Sequence, residues 1–440
     1  MNSKPRLNLA PLKLKTRTQV LNPTQTAELA KELIARCHIL ASFSEDSHGT
    51  RRTFLSPPMR NVHRQLSAWL EPLGAKVNID AVGNLRALYP GAENSAPRLL
   101  IGSHLDTVSN AGAYDGILGV LIAVALLEGL QNCRLPYAIE VLGFSEEEGV
   151  RFGKPFIGSL ALVGRMDQNL LNTKDAHGVS VQTAIEEFGL NPAEIGRALL
   201  QDDAVGYLEF HIEQGPVLEK LELPLAVVDA IAGQSRLEFT FVGRANHAGT
   251  TPMNLRFDAV AAAAEWIAGV ERQANAVAGL VATVGSVATK PGASNTIAAE
   301  ARLTLDVRHA QDQVRLSAVD DLKRQAEAVA RRRGLSVQSI THMNQPAIPM
   351  DPFLSGQIEE AIGKTGCEPH RITSGAGHDA MILAEKIPAA MIFLRTPGGI
   401  SHDPAESVAV EDVEKAIECG MHLLDQLAAS PTWMTRTCRA

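Results

Sequence analysis

The sequence predicts an α/β protein: a mixed, mostly parallel sheet covered by helices, interrupted by a smaller α+β domain of ferredoxin-like type. Three observations carry this. Short apolar runs alternate with helical stretches through the first half of the chain, which is the pattern of βα units around a parallel sheet. Between residues 229 and 343 the texture changes to period-two alternation, and the elements read β-α-β-β-α-β. After Pro346 and Pro349 the α/β texture resumes, so the smaller domain, 229–343, is inserted and the larger is built from 1–228 and 344–440. A chain of 440 residues also exceeds one ordinary core.

The elements follow in order. Asn22-Pro-Thr-Gln reads as a helix start, with an N-cap Asn, Pro at the first helical position and Gln placed to complete a capping box. Leu29, Leu33, Ile34 and Cys37 continue it as a helical stripe. Residues 44–60, rich in Ser, Gly and Pro, read as a loop, and a second helix runs from Asn61 to Leu73, ending at Gly74. Residues 77–88 alternate as a strand or hairpin. Residues 97–102 are a buried strand feeding an apolar helix from Ile117 to Leu130, and residues 137–144 and 206–215 are further strands, the last ending in polar residues. In the insert, strands at 236–243, 279–289, 299–308 and 335–342 surround helices at 258–273 and 311–333. Ala389–Leu394 is a last apolar strand.

Composition excludes several classes. The formal charge is −8, which leaves no electrostatic footprint for nucleic acid. The run Arg331-Arg-Arg closes a predicted helix, where cations complement the macrodipole. No 18-residue apolar segment exists, so no membrane span is expected. Lys4, Arg6, Lys13, Lys15 and Arg17 lie in an N-terminal arm without an apolar core or cleavage site. The five cysteines (37, 133, 367, 419 and 438) are scattered and never form Cys-x-x-Cys, which favours a reducing cytoplasm over a disulfide framework or a Cys₄ zinc site.

The chemistry sits at strand ends. Gly102-Ser-His104-Leu-Asp106-Thr and Gly112-Ala-Tyr-Asp115-Gly follow the first buried strand; Ser145-Glu146-Glu147-Glu148-Gly follows the next; His211 ends the third. A fourth cluster, Ser401-His402-Asp-Pro-Ala-Glu406, follows Leu394 in a loop. The carboxyl edge of an α/β sheet is where ligands bind. Clustered carboxylates there repel one another unless a cation is present. His104, Asp115 and their neighbours are ligand types that zinc accepts, and Asp106 can hydrogen-bond the far ring nitrogen of His104. Imidazoles, a bridging carboxylate and a terminal one suit two divalent ions about 3.5–4 Å apart, with a spare carboxylate to take a proton from the attacking water.

The set GSHLDT, GAYDG, SEEEG, FHIEQGP and SHDPAE resembles, in order and spacing, the dinuclear-metal aminoacylase/carboxypeptidase superfamily. Within it, the branch of allantoate amidohydrolases, N-carbamoyl-L-amino-acid hydrolases and β-ureidopropionases is the most similar. The resemblance covers nearly the whole chain after residue 25. It implies His104, Asp115 and His211 at one metal and Asp115, Glu148 and His402 at the other, with Asp115 bridging. It implies Asp106 as the orienter of His104 and Glu147 as general base. The family usually has Asp-Glu-Glu where this chain has three glutamates; Gly149 fixes the register and leaves Glu146 as the replacement.

Further roles rest on the same resemblance. His211 stands where the superfamily's peptidases and aminoacylases carry a carboxylate, and the ureido-hydrolysing branch carries His. Gln214 resembles a substrate contact. His247, in Gly-Arg-Ala-Asn-His-Ala-Gly-Thr, resembles the family's lid histidine, which reaches the neighbouring subunit's site and steadies the oxyanion. Asn295 and Arg308 resemble the pair that holds the substrate carboxylate, a task for which a planar guanidinium is suited. Arg236 is a further substrate-contact candidate, and Gly377 lets backbone approach a ligand. His378 and Asp379 are expected to support rather than ligate.

The resemblance therefore implies an amidohydrolase with two divalent ions per subunit, zinc or manganese, with cobalt or nickel also suited. It would act on a small ureido carboxylate, allantoate first and N-carbamoyl-L-amino acids next, as a cytoplasmic homodimer. A dipeptidase or aminoacylase, and a metal-free binding protein, are the other readings.

Overall fold

The computed structural model describes residues 21–435; the basic N-terminal residues named above and Cys438 lie outside the described residues. The first helix, Pro23–Ala41, begins with a reciprocal capping box: the Asn22 side chain accepts from the Gln25 N–H at 3.0 Å, and the Gln25 side chain accepts from the Asn22 N–H at 3.1 Å. The second helix is Pro57–Leu70 and starts earlier than the expected Asn61. Pro57 and Pro58 sit in its first turn, where a missing N–H costs nothing. The chain then leaves through a short 3₁₀ turn onto Gly74, at φ 86°.

The larger unit is Met1–Asp229, Met350–Ile372 and His378–Ala440. Its sheet runs in the order Lys76–Ile79, Leu85–Tyr89, Ala138–Phe144, Arg98–His104, Ala204–Ile212, Ala389–Leu394, Leu225–Ile231. The four central strands, from Ala138–Phe144 to Ala389–Leu394, are mutually parallel, and the flanks are antiparallel. The strand Leu225–Ile231 was not expected; it lies where the texture changes and is held by pairing with Ala389–Leu394. The helix Ile117–Gly129 is apolar on every side and almost wholly buried. Such a helix needs cover on both faces; it packs on the strands ending at His104 and Ile212 and under helices Pro23–Ala41 and Val410–Ala429.

The smaller unit is Ala230–Pro349 with Thr373–Gly377. Its four antiparallel strands lie in the order Ser336–Gln345, Gly233–Val242, Glu300–His309, Val281–Lys290, a ferredoxin-like βαββαβ arrangement. One face carries Leu237, Phe239, Phe241, Leu303, Leu305 and Val307 and packs against helices Ala259–Ala276 and Asp312–Arg332. Trp266 is buried there and donates its indole N–H to the Leu322 carbonyl at 2.9 Å. The unit extends beyond residue 343 because its last strand runs to Gln345. It also gathers Thr373–Gly377, whose Ser374 and Gly375 carbonyls accept from the Ala232 N–H and the Arg308 guanidinium. No helix among the described residues is long and apolar enough to cross a membrane.

Candidate metal centre

Parallel strands deliver the site by ending on one edge of the sheet. One strand ends on His104, the next stops at Phe144 just before Ser145-Glu146-Glu147-Glu148, and the third carries His211 near its end. Asp115 enters from the turn that opens helix Ile117–Gly129. Gly116, at φ 70°, makes that turn possible: a Cβ there would lie 2.5 Å from the His104 ring.

The donor atoms are arranged for a cation. His104 Nδ1 lies 3.0 Å from the Asp106 carbonyl oxygen and 3.5 Å from its carboxylate, and His211 Nδ1 lies 2.9 Å from the Ile212 carbonyl. Each Nδ1 therefore donates and each Nε2 keeps a bare lone pair. Those two lone pairs face each other at 3.4 Å, and both face Asp115 Oδ1, at 3.4 and 3.2 Å. That oxygen is buried and has no hydrogen-bond partner. Three acceptors aimed at one another repel unless a cation lies among them, and two imidazole nitrogens with a carboxylate oxygen are a divalent metal's donor set. The other oxygen of Asp115 lies 3.3 Å from His402 Nε2, and Glu148 lies 3.7 Å from the same nitrogen. One carboxylate thus faces two donor groups, His104 with His211 and Glu148 with His402.

Charge on these groups follows. Burial opposes protonation of His104, yet the Asp106 and Asp115 carboxylates raise it well above the ordinary imidazole range. On Asp115 burial is outweighed by the imidazoles of His104, His211 and His402, which hold the carboxyl well below the usual value. Burial, and then the neighbouring Asp115, pushes Glu148 up to about 7. Glu147 is pushed well up by burial, with His104 opposing. Protons take the place that a metal cation fills.

The three glutamates separate cleanly. Glu146 is spent on its own loop, accepting from the Gly149 N–H at 2.6 Å. Glu147 and Glu148 turn their carboxylates toward His104. Asp106 holds both in place, accepting from the Glu147 N–H at 2.9 Å and the Glu148 N–H at 3.1 Å while facing His104. Gln214 also reaches the centre: its amide donates to Asp115 Oδ2 at 3.0 Å and to Ser401 at 3.1 Å. Gln214 and His402 both hold left-handed backbone, at φ 59°, a cost of about 1–2 kcal/mol each for residues with a Cβ.

Sequence reasoning missed three contributors. Glu209 is fully buried two residues before His211, accepting from the Ser103 hydroxyl and the Ala380 N–H, both at 2.9 Å. Its signal was an acid inside an apolar strand, in phase with His211. Glu406 accepts from the Tyr114 and Asp115 N–H groups, and Ser401 donates to Asp115 Oδ2 at 3.2 Å. His378 and Asp379 are buried, with the His378 ring edge-on to His211 at 4.5 Å between centroids.

The remaining expected residues belong to the smaller unit. His247 is exposed on a short strand pair with Thr296, and the adjacent Ala248 N–H donates to the Asn295 carbonyl at 3.0 Å. Arg236 and Arg308 share the polar face of the four-stranded sheet, both paired with Asp306, at 3.2 and 2.8 Å. Gly377 ends the Thr373–Gly377 piece.

Known proteins share this architecture. The chain is 37% identical over 438 residues to an allantoate deiminase of Arabidopsis thaliana, covering 91% of this chain and 82% of that protein. It is 35% identical over 387 residues to an N-carbamoyl-L-amino acid amidohydrolase of Geobacillus stearothermophilus, covering 87% and 95%. A crystal structure of an amidase of the hydantoinase/carbamoylase family from Burkholderia multivorans superposes with a TM-score of 0.86 at 29% identity, over 91% of this chain and 98% of that one. Residues 100–426, which include every residue of the centre described above, match peptidase family M20/M25/M40, and the chain belongs to that family.

Proposed function

We propose that this protein is a metal-dependent amidohydrolase that cleaves the ureido C–N bond of a small carboxylate substrate, with allantoate as that substrate. The convergence of three imidazole Nε2 atoms on the two oxygens of Asp115 carries the reading, because such a donor set holds two divalent ions and little else. Relatives named for allantoate and for N-carbamoyl-L-amino acids, at 35–37% identity over most of the chain, support the bond type. An N-carbamoyl-L-amino-acid hydrolase is the second reading, on the strength of the Geobacillus relative.

His104 and His211 would hold one ion, Glu148 and His402 the other, and Asp115 both; zinc or manganese suits these ligands, as do cobalt and nickel. When bound, the ions polarise the ureido carbonyl and make water a better nucleophile. Asp106 keeps the His104 tautomer and aligns the glutamate loop. Glu147, buried and biased toward holding a proton, takes one from the attacking water and delivers it to the departing nitrogen. Water oxygen joins the carbonyl carbon and the bond to the terminal nitrogen breaks, which releases ammonia; the carbamate left behind loses carbon dioxide and frees the substrate's amine.

Asn295 and Arg308 would grip the substrate carboxylate, with Arg236, Gln214 and the backbone at Gly377 completing the contacts. Asp306 keeps the Arg308 guanidinium oriented for that grip through bonds at 2.8 and 3.1 Å. His247 would serve the neighbouring subunit of a homodimer, steadying negative charge on the carbonyl oxygen. The scattered cysteines support a cytoplasmic setting. Ammonia release by manganese- or zinc-loaded protein, with allantoate and N-carbamoyl-L-amino acids side by side, tests the reading. No ammonia from either class, with cleavage of peptides or N-acyl amino acids read by release of the free amino group, would overturn it.

A further inference from the structure

The larger unit holds a second cavity, of about 430 Å³, lined by residues to which no role has been given so far. It lies at the start of helix Pro57–Leu70, and three guanidiniums, Arg51, Arg60 and Arg151, reach it. We propose that this cavity binds a small organic or inorganic oxyanion, a carboxylate or a phosphate, and that the anion braces the two loops that carry His104, Asp106, Glu147 and Glu148.

Arg151 is committed to Asp175 and to the Phe54 carbonyl, and the open positive charge comes from Arg51 and Arg60. Glu45 accepts from the Thr53 N–H at 2.8 Å and the Thr53 hydroxyl at 3.2 Å. Asp175 accepts from Arg151 at 3.0 Å and from the His177 and Val179 N–H groups. Arg60 has no ion pair among the described residues; its guanidinium lies 3.9 Å over the Phe188 ring and makes one long bond, 3.4 Å, to the Glu187 carbonyl. Arg51 has one acid nearby, Asp46 at 3.7 Å, and its Nε is buried with no partner. Among the described lining residues two carboxylates have no ion pair, Glu45, held by Thr53 alone, and the exposed Glu187.

Ser56 is the independent sign. It is 3% exposed, lines the cavity, and its hydroxyl has no hydrogen-bond partner. An N-cap serine ordinarily accepts from the second or third helical N–H. Here Pro57 and Pro58 have none, and the Met59 N–H is already bonded to the Ser56 carbonyl at 3.0 Å. A buried hydroxyl without a partner costs free energy, and an oxyanion at this helix end, beside two open guanidiniums, supplies the missing acceptor. The volume falls in the range of small-molecule sites.

The cavity touches the metal loops through the chain itself. Val150 and Arg151 in its wall follow Glu148 and Gly149, and Arg151 donates to the Phe54 carbonyl at 2.9 Å. Between Arg51 and Thr53, the buried Arg52 accepts the Thr107 N–H at 2.9 Å, donates its own N–H to the Thr107 hydroxyl at 3.0 Å, and donates its guanidinium to the Leu105 carbonyl at 2.6 Å. An anion bound by Arg51 beside Arg151 therefore fastens both loops. This inference does not depend on the ureido reaction.

Calorimetric titration of the metal-loaded protein with inorganic phosphate and, separately, with succinate at matched ionic strength tests it. Saturable one-to-one binding of either is expected, and which one binds identifies the source. R60Q, a change at an exposed side chain that leaves the fold and the metal content alone, is expected to weaken binding at least tenfold, and R51Q/R60Q to abolish it. S56A is expected to weaken it severalfold while leaving the melting temperature of the anion-free protein unchanged or higher. No binding of either anion, or affinity within twofold of wild type in R60Q and S56A with metals retained, would overturn the proposal.

Discussion

Glu406 holds the loop of Asp115 from below: its Oε1 accepts the Tyr114 N–H at 2.8 Å and the Asp115 N–H at 3.1 Å. The carboxylate that faces both halves of the centre thus depends on a second, buried carboxylate far along the chain. Burial pushes Glu406 up to about 7, with Asp115 adding to the shift.

Replacing Glu406 by Gln keeps one acceptor and should weaken metal affinity about tenfold; Ala should cost about 100-fold, the scale seen for outer partners of metal ligands. Competition with a chelating dye measures it. Unchanged affinity in the Ala variant would show that the loop stands by itself.

Glu147→Gln should retain both metals and lose turnover by about 10²–10⁴-fold, the range for removing a general base. Loss of metal in that variant, counted by atomic emission, would mean that the roles within Glu146–Glu148 are shifted by one residue.

His247→Ala should cripple turnover while metals stay bound. Mixing it with Glu147→Gln subunits should restore part of the activity, because one site of each mixed dimer is then complete. Near-normal kcat in His247→Ala would defeat the shared-site idea.

His63 is buried with its ring edge-on to Phe188, and burial lowers it to about 4 from 6.5. The unfolded chain takes up this proton first as pH falls. Stability tied to a neutral His63 is therefore complete above about 6.5 and is lost progressively down to about 4, in total about 3 kcal/mol. Urea titrations across that window should be flatter for His63→Gln than for wild type by about one proton; parallel curves would contradict it.

Stripping the ions should lower the melting temperature by several degrees, since one site at 100-fold excess over its Kd contributes about 2.7 kcal/mol. Restoring manganese or zinc should recover it, and an unchanged melting curve after dialysis against chelator would count against the metal reading.

Much of this was legible because local chemistry and tertiary position agree. The Asn22–Gln25 box and the stop at Gly74 are set within a few residues, and the strand-end motifs carry His104, Glu148 and His211 to one edge by topology alone. The misses have physical causes. Pro57 and Pro58 read as loop because proline breaks helices everywhere except the first turn. Leu225–Ile231 is a strand because a neighbour pairs with it, which no local signal reveals. Glu209 passed unnoticed because its partners, Ser103 and Ala380, are remote in sequence.

The parallel pairing of Ala204–Ile212 with Ala389–Leu394 has a consequence for assembly. The whole smaller unit lies between these strands in the chain, so on the ribosome the strand bearing His211 waits as an open edge until Ala389–Leu394, in the last eighth of the protein, emerges. The smaller unit, nearly continuous in sequence, is free to fold during that wait. His402 comes later still. The catalytic centre is thus among the last parts of the molecule that can form, and a truncated or stalled chain presents an unpaired apolar strand rather than a half-active enzyme.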